Sequence, residues 1–354
     1  MLRKSFSLFV IGLLLLQPIA VRADKVDEYV QSEMKRQRIP GVSIAIVKEG
    51  KVIKAEGYGL ANVEFNIPAK PETVYKIGSV SKQFLASGIM LLAQDGKLTP
   101  EDKIGKFLEG TPETWNGITL RHLLSHTSGI LREAPGFDPF RIQKDFDVIK
   151  TAYSSPLRFA TGEKYEYCNV GYFSLAEIIA RVSGKPWSEF LNERIFAPLG
   201  MAATQPTSSR VIVSNRAGGY EWEKEALRNA TDYLALRPSG AFLSTVLDLA
   251  KWDIALNGDS ILKQSTRELM WTPIKLNDGK TYPYGFGWQL DPLGNHKRVH
   301  HGGSLPGFRS NYARFPDDKL SIIVLTNADN ANPGLITRGI AAIYFPDLAP
   351  STTN

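Results

Sequence analysis

Strand patterns lie at both ends of the chain, and a helical stretch lies between them. The first two strand patterns are joined through Glu49-Gly50, a sequence typical of a hairpin. This order predicts an α+β fold with one antiparallel sheet built from both ends, flanked by helices, with a mostly helical lobe inserted. Strand patterns occupy residues 42–47, 52–58, 284–290, 299–303, 311–315 and 320–326, and helix patterns occupy residues 24–38, 120–126, 173–182, 187–195 and 334–343.

The domain organisation follows from the same order. We expect residues 24–354 to form one catalytic domain, with an α/β lobe from about 24–78 and 240–354 and a helical lobe over about 79–239. The only cysteine is Cys168, so no intrachain disulfide is possible and the stability must come from the core.

Residues 1–23 have the pattern of a secretory signal peptide. Arg3 and Lys4 precede a short apolar stretch, residues 8–16, and Val21-Arg22-Ala23 fits a small-residue cleavage site. We therefore expect a secreted or periplasmic protein that begins at Asp24. The apolar stretch is too short to span a bilayer comfortably, so a retained membrane anchor is the less favoured alternative, and we expect no stable membrane span.

The charge of the chain argues against a nucleic-acid partner. The formal net charge is +6, and the predicted signal peptide carries three of the positive charges, which leaves +6 − 3 = +3. No basic run with interleaved aromatic residues is present in the sequence.

Ser79 and Lys82 form the most informative pair for function. They are one helical turn apart, so the hydroxyl and the amine share a face, and a serine beside a lysine is a nucleophile beside a possible base. A helix that starts here also points backbone N–H groups toward an oxyanion. The same spacing occurs at Ser32/Lys35, on a charged helix, and at Ser260/Lys263, where Ser260 reads as a helix cap. Only the segment after Ser79 is apolar all round, which predicts a buried helix.

The segment around Cys168 could also contribute catalytic residues. Tyr167 and Asn169 flank Cys168, where a tyrosine near a lysine can act as an acid or base and Asn169 can orient the amine. Cys168 itself reads as a small buried residue, with a reactive thiol as the alternative.

The histidines allow two interpretations. His300 and His301 lie on a predicted strand, so only one of them can face a cleft. His122 and His126 are four residues apart on a predicted helix, a spacing that can bind zinc, although the His-Glu-x-x-His motif is absent and we expect no metal and no cofactor.

In order along the chain, these motifs resemble those of the serine β-lactamase and penicillin-binding-protein superfamily, and most of all its class C β-lactamase and family VIII esterase branch. The resemblance covers nearly all of residues 24–354. It rests on Ser79-Val80-Ser81-Lys82, Tyr167-Cys168-Asn169 and His301-Gly302-Gly303, supported by Leu123-Leu124-Ser125-His126-Thr127-Ser128-Gly129, Tyr284-Gly285-Phe286-Gly287-Trp288 and Pro306-Gly307-Phe308.

The resemblance implies a role for each matching residue. Ser79 would be the acylated nucleophile, Lys82 would help take its proton, Tyr167 would be the acid/base partner and Asn169 would position Lys82 and the substrate. From the third motif, His301 and Gly303 would border the substrate, and the backbone N–H groups of Ser79 and Ser304 would form the oxyanion hole. Which of Lys82 and Tyr167 is the base stays open at this point.

The resemblance also implies the reaction, acyl transfer to serine, and a small-molecule or peptide acyl substrate. Two departures from the family pattern matter: Cys168 stands where Ser or Ala is more usual, and His301 stands where many relatives have a lysine that helps to hold a substrate carboxylate. We therefore expect an exported serine hydrolase that acts on an ester, an amide or a β-lactam. The alternatives are a catalytically silent protein of the same fold that binds cell-wall fragments, and a zinc hydrolase.

Overall fold

The central sheet takes its strands from both ends of the chain, as the sequence predicts. The computed structural model describes residues 24–234 and 237–348, so the predicted signal peptide lies outside the described residues. The strands are β1 (Gly41–Lys48), β2 (Lys51–Asn62), β3 (Ile67–Pro68), β4 (Tyr75–Lys76), β5 (Gln205–Pro206), β6 (Tyr220–Glu223), β7 (Ala226–Asn229), β8 (Phe242–Ser244), β9 (Ile274–Lys275), β10 (Thr281–Tyr282), β11 (Val299–Leu305), β12 (Phe308–Phe315) and β13 (Leu320–Thr326).

The large sheet has the order β11-β12-β13-β1-β2-β3, and its neighbouring strands are antiparallel. The N-terminal hairpin β1–β2 therefore pairs directly with β13 from the other end of the chain. This arrangement confirms the predicted α+β fold with an antiparallel sheet.

Helices cover both faces of this sheet. The helices are α1 (Lys25–Gln37), α2 (Lys82–Gln94), α3 (Leu120–Leu124), α4 (Asp145–Lys150), α5 (Asn169–Ser183), α6 (Trp187–Leu191), α7 (Val246–Ala255), α8 (Gln264–Met270) and α9 (Pro333–Tyr344).

Alternate residues of β1 enter two different cores. Ile44 and Ile46 pack in the cluster that also holds residues of α1 and α9, whereas Ala45 and Val47 belong to the larger cluster that includes α2 and α5. Because successive strand residues point to opposite faces, a run of apolar residues is what a strand covered on both faces requires.

One prediction about local structure was wrong. Residues 284–290 form no strand: Gly287 has a φ of +78° and the N–H of Gly285 bonds the carbonyl of Trp288, so the segment turns back on itself. Its alternating aromatic residues imitate a strand because they are buried, but glycine makes the turn possible. The segment between Ser79 and Ser239 contains α2 to α6, yet it also contains β5, β6 and β7 and long loops.

A buried ion pair fixes α7 on the sheet. Arg314 of β12 donates to a carboxylate oxygen of Asp253 at 2.7 Å, and the Tyr312 hydroxyl donates to the same oxygen at 2.7 Å. The side chains of Arg314 and Asp253 are only 3% and 2% exposed. Each charge therefore depends on the other for the solvation that water would otherwise supply.

We predict that Asp253→Ala lowers the free energy of unfolding by about 3–5 kcal/mol, because it leaves the Arg314 guanidinium buried without its counter-charge. Urea unfolding followed by circular dichroism measures the change. Glu166→Ala is the control, since it breaks an exposed pair with Arg158 and should cost at most about 1 kcal/mol. A similar small loss for Asp253→Ala would show that the buried pair does not stabilise the fold.

Candidate active site

Ser79 lies on a tight turn that runs directly into α2. Residues Gly78–Ser81 form one turn of 3₁₀ helix, and α2 begins at Lys82. From Lys82 to Leu92 every residue of α2 is buried, as the sequence predicts, whereas Ser79 itself is partly exposed. The turn therefore presents the Ser79 hydroxyl to solvent at the entrance to a buried helix.

Strand β11 passes very close to this turn. A Cβ atom on Gly303 would lie 2.0 Å from the carbonyl oxygen of Ile77, and a Cβ atom on Gly78 would lie 2.6 Å from the backbone nitrogen of Ser304. Gly78 also has a φ of +53°. Only glycines allow this approach. It places the backbone of Ser304 beside Ser79, where two N–H groups can hold an oxyanion.

Lys82 is fully buried and its amine has three partners. The Nζ atom lies 3.2 Å from Ser79 Oγ, 2.9 Å from Asn169 Oδ1 and 2.7 Å from the carbonyl oxygen of Ser239. The latter two oxygens can only accept. A neutral amine has two N–H donors and one lone pair, so it satisfies both acceptors and still accepts the proton of the Ser79 hydroxyl.

The surroundings of Lys82 favour this neutral form. Burial holds the pKa of Lys82 well below its ordinary value, the positive charge of Arg237 lowers the pKa further, and Glu133 partly offsets both effects. A neutral lysine next to a serine hydroxyl can act as a general base.

Tyr167 borders the same point from the loop before α5. The Lys82 nitrogen lies 4.7 Å from the centre of the Tyr167 ring, and the Arg132 guanidinium lies 5.4 Å from the same ring centre. Burial raises the pKa of Tyr167 above its ordinary value, while Ser79 and Arg132 lower it in part. Tyr167 is therefore a neutral phenol that can donate a proton, and the two opposite shifts favour Lys82 as the base.

Asn169 connects Lys82 to a charged pair that the sequence motifs do not include. Its amide nitrogen donates to Glu133 at 2.5 Å, and Glu133 also binds Arg237. This bond fixes the amide so that its oxygen faces Lys82. No sequence signal identifies Glu133, Arg237 or the Ser239 carbonyl, because their role depends on tertiary contacts.

His301, not His300, faces Ser79. His301 lines the cleft with Ser79, whereas His300 points away and lies 2.6 Å from a carboxylate oxygen of Asp291. The alternation along β11 separates the two rings, as expected for a strand.

A chain of hydrogen bonds sets the proton positions on His301. The N–H of Cys168 donates to His126 Nδ1 at 3.0 Å, so His126 carries its proton on Nε2 and donates it to the Tyr284 hydroxyl at 3.2 Å. Tyr284 then donates to His301 Nε2 at 3.1 Å, and His301 Nδ1 donates to the Gly302 carbonyl at 2.6 Å. Both nitrogens of His301 are thus occupied by protein groups.

His301 carries no positive charge at neutral pH. Burial is the largest cause that lowers the pKa of His301, which falls to about 3. The ring forms a neutral wall of the cleft, in contrast to a lysine at the same place.

The histidine pair proposed for zinc does not share a helix face. Helix α3 ends at Leu124, and His126 has a φ of +61° outside it, with both ring nitrogens engaged as described above. His122 Nδ1 instead lies 3.1 Å from the backbone nitrogen of Thr119. Within residues 24–234 and 237–348, no group of three or more His, Cys, Asp or Glu side chains is arranged to hold a metal ion.

Cys168 has the properties of a packed residue. It is 1% exposed, its sulfur caps α5 by accepting the N–H of Gly171 at 3.2 Å, and burial raises its pKa to about 12. A thiol with so high a pKa is a poor nucleophile.

The other two Ser-x-x-Lys sequences are exposed. Ser32 and Lys35 lie on the solvent face of α1. Ser260 and Lys263 are also exposed, and Lys263, not Ser260, is the residue that precedes α8, so the interpretation of Ser260 as a cap was wrong.

An open cleft of about 540 Å³ leads to Ser79. Its lining combines the predicted residues with others from β11, β12 and the start of α9. The lining includes Ser79, Arg132, Tyr167, Gln289, His301, Gly303, Ser304, Arg309, Asn311 and Asn332.

A family model and curated relatives each match most of the chain. A family model described as Beta-lactamase matches residues 26–343. The chain is 30% identical over 308 residues to penicillin-binding protein 4* of Bacillus subtilis (strain 168), covering 81% of this chain and 68% of that protein. It is 29% identical over 319 residues to protein flp of Staphylococcus aureus (strain MW2), covering 86% of this chain and 63% of that protein. The chain thus spans about two thirds of the length of these relatives.

Solved structures show the same fold. The octameric penicillin-binding protein homologue from Pyrococcus abyssi has a TM-score of 0.81 at 30% identity, covering 91% of this chain and 77% of that one. The D-amino acid amidase from Ochrobactrum anthropi SV3, complexed with L-phenylalanine, also has a TM-score of 0.81 at 23% identity, covering 91% and 99%. The latter likeness concerns the fold alone.

We predict that charges beside Lys82 move the pH dependence of Ser79 reactivity in opposite directions. Glu133→Gln removes a negative charge that raises the pKa of Lys82, so the acidic limb of the profile should shift to lower pH. Arg237→Met removes a positive charge that lowers this pKa, so the limb should shift to higher pH. The measurement is the rate of Ser79 labelling by a fluorophosphonate as a function of pH. Shifts of the same sign, or none, would contradict a neutral Lys82 as the base.

Proposed function

Because the chain belongs to the beta-lactamase family, we propose that it is a serine hydrolase that works through an acyl-Ser79 intermediate. The family assignment confirms the resemblance to the serine β-lactamase and penicillin-binding-protein superfamily. The observation that carries the proposal is the buried Lys82 amine, which can accept the proton of the Ser79 hydroxyl while Asn169 and the Ser239 carbonyl hold its two N–H groups.

In the first step Ser79 Oγ attacks the carbonyl carbon of the substrate, and its proton passes to Lys82. The carbonyl oxygen becomes an oxyanion beside the N–H groups of Ser79 and Ser304. As the bond to the leaving oxygen or nitrogen breaks, Tyr167 gives its proton to the leaving group, and the proton held by Lys82 restores the phenol.

In the second step a water molecule attacks the acyl-Ser79 carbonyl and gives one proton to Lys82. When the bond to Ser79 breaks, Ser79 Oγ takes that proton back, and the acid leaves as the product. The protein returns to its starting protonation state, so the cycle needs no cofactor.

We propose an ester, an amide or a β-lactam as the substrate class, because all three present an acyl carbon to this set of groups. The silent binding protein remains the alternative. It is less favoured because Ser79, Lys82, Tyr167 and Asn169 lie together in one cleft, and binding alone would not require a lysine to be buried beside a serine.

We also propose that the protein is exported, on the strength of the signal-peptide pattern in residues 1–23. No helix among the described residues is both long and apolar enough to cross a membrane. We expect the mature N-terminus to be Asp24 when the full-length chain is expressed in a bacterial host and the N-terminus is determined by mass spectrometry. An N-terminus that still carries residues 1–23 would contradict export with cleavage.

We predict that a fluorescent penicillin or a fluorophosphonate labels the protein at Ser79 and that Ser79→Ala abolishes labelling, because the nucleophile is lost. Ser32→Ala is the matched control, since it removes a serine with the same spacing to a lysine on an exposed helix, and it should label like the wild type. Equal labelling of wild type and Ser79→Ala would contradict the proposal.

A substrate panel then separates turnover from binding. Nitrocefin reports opening of its β-lactam ring, short-chain p-nitrophenyl esters report release of p-nitrophenol, and D-Ala-D-Ala peptides report release of D-Ala. We expect turnover of at least one, lost in Ser79→Ala. Binding of cell-wall fragments with no turnover of any member would support the silent alternative.

A further inference from the structure

The cleft in front of Ser79 is positively charged. Among its lining residues in the described part of the chain, two are arginines, Arg132 and Arg309, and none is Asp or Glu. Such a lining attracts a substrate anion and repels a substrate ammonium group.

The guanidinium of Arg309 is hydrogen-bonded to other groups of the protein. Its guanidinium donates to Asp329 at 2.9 Å and to the carbonyl oxygens of Leu305 and Phe308, each at 3.1 Å. Its charge is balanced by Asp329, and its donors hold the β11–β12 turn and the segment after β13.

Arg132 is held far less tightly. Its side chain is 64% exposed, and its nearest carboxylate oxygen, on Glu133, lies 3.7 Å away, which is beyond hydrogen-bonding distance. Glu133 is also bound by Arg237 and by the amide of Asn169. One carboxylate therefore faces two guanidiniums, and the group has one excess positive charge, which Arg132 brings to the lining of the cleft.

The position of Arg132 is fixed even though its head group is accessible. The backbone carbonyl of Arg132 accepts the N–H groups of Asn169 and Val170 at 2.8 and 3.3 Å, so the residue is anchored to the start of α5. Its guanidinium lies over the ring of Tyr167, 5.4 Å from the ring centre. Arg132 and His301 both line the cleft that leads to Ser79.

We propose that Arg132 is a specificity-determining residue that binds a carboxylate of the substrate, and that the protein favours substrates with such a carboxylate over neutral ones. The inference rests on the proposed serine hydrolase function. Arg132, on the helical side of the cleft, supplies the positive charge that the neutral His301 on β11 does not. The planar fork of an arginine suits a carboxylate, which it can bind through two N–H groups.

Two pairs of esters test the proposal. The first pair is the p-nitrophenyl monoester of adipic acid and its methyl ester, which differ by a carboxylate on the acyl side. The second is the butyrate of 3-hydroxybenzoic acid and that of methyl 3-hydroxybenzoate, which differ by a carboxylate on the leaving group. The readout is the ratio of kcat/KM for the anionic ester to that for its neutral partner. A change in the pKa of Lys82 caused by Arg132 affects both esters alike, so it leaves this ratio unchanged.

We predict that Arg132→Gln lowers this ratio about tenfold in at least one pair, as expected for the loss of a charge-assisted hydrogen bond. Arg132→Lys should keep part of the preference, because it keeps the charge without the fork, and high salt should reduce the wild-type ratio. Arg158→Gln is the matched control, an arginine of similar exposure outside the cleft, and should behave like the wild type.

An unchanged ratio in both pairs for Arg132→Gln would overturn the proposal while leaving the serine hydrolase function in place. If the wild type hydrolysed none of these four esters and no member of the substrate panel, the proposed function would be at fault instead. Calorimetry with Ser79→Ala then gives the same comparison without turnover: the anionic ester should bind more tightly than the neutral one, and Arg132→Gln should remove the difference. Equal binding would again overturn the role of Arg132.

Discussion

The burial of Lys82 is the constraint on which the rest of the site depends. Removing an ammonium group from water is costly, and among the residues that the structure describes only two fixed acceptors contact its nitrogen, Asn169 Oδ1 and the Ser239 carbonyl oxygen. The amine can meet this environment by losing its proton, and each unit of pKa shift corresponds to about 1.4 kcal/mol of differential stabilisation. The third neighbour, the Ser79 hydroxyl, then becomes the group that donates to the lysine. The burial that favours the neutral form of Lys82 therefore also prepares Ser79 to act as a nucleophile.

The sheet supplies the opposite side of the site. Because Gly78 and Gly303 lack side chains, β11 can lie against the turn that carries Ser79, and the backbone of Ser304 reaches the nucleophile. The hydrogen-bond chain through His126 and Tyr284 keeps His301 neutral and oriented. On the sheet side of the cleft, His301 is neutral and the charge of Arg309 is balanced by Asp329, so the accessible positive charge of the cleft lies on the helical side, at Arg132.

The structure brings the motif residues together around one cleft, and each of them carries a local signature in the sequence. The apolar helix after Ser79 distinguished that pair from the two exposed ones, and strand alternation required that His300 and His301 face opposite ways. The remaining parts of the site have no such signature. Ser239 contributes a backbone carbonyl, which any residue possesses. Glu133 acts through contacts with residues 36 and 104 positions away, and its position in a loop gave no pattern to detect. Residues 284–290 imitated a strand because burial of aromatic rings, not pairing, sets their pattern.

Activation of Ser79 depends on the protonation state of Lys82, which NMR can measure directly. Titration of the side-chain signals of isotope-labelled lysine, with the Lys82 signal assigned by its absence in Lys82→Met, gives the pKa of this residue in the resting protein. We predict a pKa well below the ordinary value of 10.5, as burial next to Arg237 requires. A Lys82 that titrates at or above 10.5 would contradict the neutral base and, with it, the proposed activation of Ser79.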